Sequence, residues 1–148
     1  MFVTFEGLDG SGKTTQADLL RAFLAEQGRE VVATREPGGT ELGERVRELL
    51  LGGTAVAPWA EAALFAASRA QLAEEVIGPA LRRGADVVCD RYVDSSLAYQ
   101  GLARGLGLER VLDLNRSVTG ELFRGRWLDI GTPERLAALD AELKAGRG

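Results

Sequence analysis

The sequence predicts an α/β fold of three layers, with a parallel sheet held between helices. Two observations lead there. Short apolar, β-rich runs (MFVTFEG, EVVAT and ADVVCDRY) alternate with longer stretches of helical periodicity. Each run is followed at its carboxyl end by polar residues, EGLDGSGKTT, REPGGT and DRYVDSS. Strands alternating with helices form βαβ units and therefore a parallel sheet. Such sheets bind ligands at the carboxyl ends of their strands, so the three polar segments are expected to converge on one crevice.

The elements follow in order. MFVTFEG reads as a buried strand ending at Gly7. The glycine-rich turn leads into TTQADLLRAFLAEQG, where Leu20, Phe23, Leu24 and Gln27 share a helical stripe and Gly28 suits a C-terminal cap. Residues 31–34 form a second strand, and ELGERVRELLLGG is a helix stopped by Gly52 and Gly53. Pro58 marks the start of a long helical stretch that Gly78-Pro79 is expected to break or bend. ADVVCDRY is the third strand, and DSSLAYQG and LERVLDLNRSVTG are helical.

Composition narrows the chemistry. The chain of 148 residues is 45% hydrophobic, enough for one buried core. A net charge of −4 argues against nucleic-acid binding by bulk positive charge. With no apolar run of about 18 residues, no membrane span is expected. The N-terminus lacks a signal-peptide pattern, so a cytoplasmic protein is expected. The one cysteine, Cys89, lies in DVVCD and reads as buried packing. There is no histidine, which excludes Ser-His-Asp and Cys-His catalysis and His-ligated zinc. Chemistry must run on carboxylates, arginine, lysine, hydroxyls and backbone amides.

Gly7-Leu8-Asp9-Gly10-Ser11-Gly12-Lys13-Thr14, followed by Thr15, matches G-x-x-x-x-G-K-[ST], the phosphate-binding P-loop. Glycines permit positive φ and close approach of the backbone, whose amides then form an anion nest at a helix N-terminus. Lys13 is a compact charge that can follow a β/γ-phosphate, and Thr14 offers a hydroxyl to Mg²⁺. A guanine-specific N-K-x-D motif is absent, because Lys144 in ELKAG is the only other lysine. Small size and arginine-bearing loops favour a nucleotide kinase. Asp90, ending an apolar strand, is a second Mg²⁺ candidate, and Arg35 and Arg91 are forks suited to phosphate oxygens.

FEGLDGSGKTTQ, TREPGGT, LFAASRAQL and DRYVDSSLAYQG together resemble the bacterial thymidylate kinases, over about residues 1–118. The resemblance implies a P-loop nucleoside monophosphate kinase-like fold, transfer of the γ-phosphoryl of ATP to dTMP with Mg²⁺, and a homodimer. It also implies roles. Arg35 and Arg91 approach the dTMP phosphate, Arg91 also lying near the transferred group. Asp9 serves the sugar 3′-hydroxyl and the charge network. Phe65 stacks on thymine, and Arg69, four residues on and so on the same helix face, bonds the base's carbonyl edge. Ser96 and Gln100 reach the base, and Tyr99 packs by the sugar. From spacing alone Phe65 reads as core packing. A phosphate acceptor is already anionic, so no general base is needed, in keeping with a chain that lacks histidine.

Residues 119–148 follow a different expectation. After LNR the family pattern calls for later strands and an arginine-rich lid, and no lid motif is seen, so the sheet is expected to be incomplete. GRWLDIGTPERLAAL instead resembles the C-terminal end of sugar-phosphate nucleotidyltransferases, suggesting a fusion junction near 117–120. Locally it reads as a strand over 127–130, Thr132 as N-cap, Pro133 at the first helical position, and Leu136, Leu139 and Leu143 on one face. The alternative is a divergent tail that supplies one replacement strand, with Arg124 and Arg126 standing in for lid arginines. Two functional alternatives accompany the kinase reading: a nucleotide-binding remnant of low turnover, and a kinase for another nucleoside monophosphate.

Overall fold

A computed structural model describes residues 1–119 and 127–145. Arg124 and Arg126 lie outside the described residues. Four strands, β1 (Phe2–Phe5), β2 (Val31–Arg35), β3 (Asp86–Asp90) and β4 (Trp127–Ile130), form one sheet in the order β2-β3-β1-β4. Every pairing is parallel, with Phe5 level with Asp90 and with Ile130, and Arg35 level with Asp90. All four carboxyl ends therefore share one edge of the layer. The strand of the tail takes a place in this same sheet, beside β1.

Alternation along the strands divides the core in two. Val3, Phe5 and Val88 meet α1 (Lys13–Glu26) and α7 (Pro133–Ala145) through Leu24 and Leu139. Phe2, Val87 and Cys89 face the other way, onto Leu72, Ile77 and Ala80. These belong to α3 (Pro58–Leu72), a π-helical turn (Ala73–Ile77) and α4 (Gly78–Arg82). Helices on both faces make the three layers that the alternating pattern predicted.

Helix ends follow the side chains. The end of α1 is a Schellman motif: Gly28 at φ 75° donates to Ala25 O at 2.9 Å, and Arg29 N donates to Leu24 O at 3.2 Å. Thr40 caps α2 (Glu41–Leu51), its Oγ1 accepting from Gly43 N at 3.0 Å. Of the break or bend expected at Gly78-Pro79, the break does not occur. The helical path continues through Pro79, and the π turn just before Gly78 absorbs the disturbance. A second π segment, Leu97–Ala103, follows the short helix α5 (Val93–Ser96) and leads towards α6 (Leu108–Thr119).

Candidate active site

The glycine-rich loop leaves β1 at the centre of the sheet, between β3 and β4. Gly7, Gly10 and Gly12 take φ values of 144°, 78° and 87°, the left-handed side of backbone space that other residues avoid. Gly12 directly precedes α1, so the loop ends on a helix N-terminus. Lys13 Nζ turns back over the loop and donates to Leu8 O at 2.6 Å. Thr14 Oγ1 donates to Asp90 Oδ2 at 2.5 Å, joining the start of α1 to the end of β3. A hydroxyl that donates one bond keeps its lone pairs for a cation. This oxygen pair fits Mg²⁺, which takes one or two carboxylates plus phosphate oxygens rather than a protein cage. Among the described residues no group of three His, Cys, Asp or Glu side chains could hold a metal by itself.

Beside the loop opens a cleft of about 570 Å³. Its walls include Asp9, Phe65, Arg69, Arg91, Ser96, Tyr99 and Gln100. The geometry thus gathers seven of the eight residues assigned to the nucleotide acceptor. Arg35 stands apart. It lines a separate cavity of about 300 Å³ together with Thr14 and Asp90, and Glu44 of α2 takes its guanidinium at 2.9 Å. Gly39 N and Arg35 together hold the Glu44 carboxyl below its usual range.

Arg91 links loop and cleft. Its Nη2 reaches Asp9 Oδ1 at 2.5 Å, its Nη1 donates to Ser95 Oγ at 3.0 Å, and its guanidinium lies 5.4 Å from the Tyr99 ring centroid. Arg91 is the only non-glycine residue with positive φ among the described residues, at 71°. Glu6 braces this turn, accepting from Tyr92 N at 2.6 Å and from Ser95 Oγ at 2.5 Å. Burial pushes the Glu6 carboxyl above its usual pKa against those hydrogen bonds.

Arg69 is 1% exposed and surrounded by acceptors. Nε donates to Glu36 Oε2 at 2.8 Å, Nη1 to Asn115 Oδ1, and Nη2 to Ser96 Oγ at 3.0 Å and Tyr92 O at 3.3 Å. Gln100 is also committed, donating to Glu61 Oε1 at 2.8 Å, while Arg104 pairs with the same carboxylate. Glu6, Glu36, Tyr92, Ser95 and Asn115 were not singled out from sequence. Glu6 and Glu36 do lie inside the two motifs quoted for Lys13 and Arg35, each directly after a strand, which was the available signal.

A P-loop at the centre of a parallel three-layer sheet, with an arginine-bearing cleft beside it, defines the class of P-loop kinase-like α/β proteins. The comparisons narrow this. The thymidylate kinase family model matches residues 5–124, and the chain belongs to that family. A thymidylate kinase of Thermomicrobium roseum is 50% identical over 145 residues, 98% of this chain and 65% of that protein. One from Synechococcus sp. (strain JA-3-3Ab) is 52% identical over 139 residues, 93% of this chain and 68% of its own. The crystal structure of thymidylate kinase from Ehrlichia chaffeensis superposes with a TM-score of 0.80 at 38% identity, covering 97% of this chain and 85% of that one. The chain thus spans 65% of the length of the Thermomicrobium relative. The likeness of residues 119–148 to nucleotidyltransferases finds no support, since the 98% coverage takes in most of that segment. Its cues were those of any strand-to-helix unit: a short apolar run, a Thr cap and Pro at the first helical turn.

Proposed function

We propose that the chain transfers the γ-phosphoryl group of ATP to dTMP, giving dTDP and ADP, with Mg²⁺ as the metal. The observation that carries this reading is the Asp9–Arg91 contact, which makes the phosphate loop one wall of the cleft. Donor and acceptor sites then abut, as in-line transfer requires.

In this reading the amides of residues 7–15 and Lys13 hold the triphosphate, and Thr14 and Asp90 hold Mg²⁺, which would neutralise charge on the phosphate oxygens. Arg91 meets the dTMP phosphate, and Asp9 keeps that guanidinium oriented and reaches the sugar. Arg35, beside Thr14 and Asp90, belongs to the phosphate contacts. Phe65 stacks on the base, Arg69 donates to its carbonyl edge, and Ser96, Tyr99 and Gln100 complete the nucleoside wall. The acceptor phosphate supplies its own nucleophilic oxygen, so charge neutralisation and alignment are the catalysis.

The same reading makes the chain a homodimer. Leu42 and Leu49 on α2 and Trp59 at the start of α3 are exposed apolar groups available to a second copy. A mass of two chains in light scattering checks this. Cytoplasmic residence goes with the substrates. Among the described residues no helix is long and apolar enough to cross a membrane.

The test is a coupled assay with ATP·Mg²⁺ and dTMP, dUMP or dCMP. Turnover preferring dTMP is expected, and preference for dCMP overturns the assignment. Lys13→Ala is expected to lower turnover by at least ~10²-fold with an unchanged melting curve, and unchanged turnover refutes the cradle. Binding of dTMP without turnover would leave a nucleotide-binding protein.

A further inference from the structure

The arrangement around Arg69 holds more than a base contact. A guanidinium has five N–H donors and no acceptor. Glu36 Oε2 takes Nε at 2.8 Å and approaches Nη2 at 2.6 Å. Asn115 Oδ1 takes Nη1, and Ser96 Oγ and Tyr92 O receive Nη2. The Asn115 amide cannot turn over without loss, because its Nδ2 donates to Val111 O at 2.7 Å. Most of the fork is therefore occupied by the protein itself. Glu36 is the only anion bonded to it among the described residues. It comes from the end of β2, thirty-three residues away in sequence, and its side chain is 3% exposed.

We propose that Glu36 is a positioning residue for nucleotide recognition: it locks the Arg69 guanidinium in one orientation and supplies the counter-charge that lets it stay buried in the cleft wall. This rests on the reading of the cleft as the dTMP site. Burial of a guanidinium without a counter-ion is strongly unfavourable, and Asn115, Ser96 and Tyr92 O are neutral. Glu36 itself is raised to about 7 by burial, while Arg69 opposes that shift, so the pair is held together by mutual need. A free guanidinium would sample many rotamers; this one meets the base already fixed, so binding does not bear the ordering cost.

The experiment has two arms. In the free protein, the Arg69 Nε–H resonance is expected to exchange slowly with solvent, and Glu36→Gln is expected to speed that exchange at least about tenfold. Equal exchange in both proteins overturns the proposal, whatever the substrate proves to be. In steady-state assays, Glu36→Gln is expected to raise KM for dTMP roughly 10- to 100-fold, with kcat and KM for ATP changed less than about threefold. The double variant Glu36→Gln/Arg69→Ala is expected to be no worse than Arg69→Ala alone. Additive losses, or a wild-type KM in Glu36→Gln, overturn it. Wild-type protein that ignores dTMP refutes the proposed function instead, and the exchange arm still decides the role of Glu36.

Discussion

Arg91 carries two conflicting demands at one residue. Its φ of 71° suits glycine, and a larger residue there is held at a cost on the order of 1 kcal/mol. Its side chain reaches Asp9 and Ser95. The Asp9 carboxylate is 96% exposed, so that ion pair adds little to stability. Arg91→Gly is therefore expected to be at least as stable as Arg91→Ala in urea unfolding, although glycine is ordinarily the less stable of the two, and both are expected to lose turnover. Glu36 gives a pH signature. Its pKa in the fold, about 7, lies above the ordinary carboxylate value of 4.5, so between those two values the native state keeps a proton that the unfolded chain has released, and the counter-charge to Arg69 is complete only above about 7. Stability from this group is full below 4.5 and declines as pH rises to about 7. Glu6 and Asp94, also raised by burial, act in the same sense. Urea midpoints followed across that window are expected to fall less steeply in Glu36→Gln than in the wild type. Of these residues, Lys13 was legible because a loop motif is local. Glu36 and Asn115 were not, because their roles arise from partners thirty-three and forty-six positions away.

At the scale of elements, α2 shows packing overriding propensity. Alanine normally favours a helix interior over glycine by about 1 kcal/mol. At Gly43, however, a Cβ would lie 2.6 Å from Gly38 O and 3.0 Å from Thr40 Oγ1, so the helix start sits directly on the REPGGT loop. Gly43→Ala is expected to lower the melting temperature, against the propensity scale, because backbone cannot yield as a side chain can. Strands and helix starts were readable from period, cap residues and Pro58. The π turns were not: the Gly78-Pro79 signal announced a disturbance but could not say that it would appear one turn earlier, at Ala73–Ile77. That depends on how the helix lies against Phe2, Val87 and Cys89.

For the whole molecule, the tail is the informative part. Its strand lies beside β1 and its helix buries Leu139 to 4% exposure against Val3, Phe5, Leu24 and Ile130. One face of the central strand thus depends on residues that come last in the chain. Leu139→Ala is expected to cost about 2–4 kcal/mol and to shift one cooperative transition that far-ultraviolet dichroism and Trp fluorescence both follow. Separate transitions would mean that the tail folds independently. Sequence yielded the strand, cap and apolar face of this segment correctly. That it would join the sheet was one of the two readings of the tail; that its neighbour would be β1 was out of reach, since a four-residue strand carries no label for its partner.

The grip of Lys13 on Leu8 O, 2.6 Å long, bears on how the loop would capture an anion. Part of the ammonium's hydration shell has already been replaced by a peptide dipole of the same turn. An arriving polyphosphate would trade a neutral acceptor for a charged one at that position. Folding has thus turned the cation onto the loop before any anion arrives.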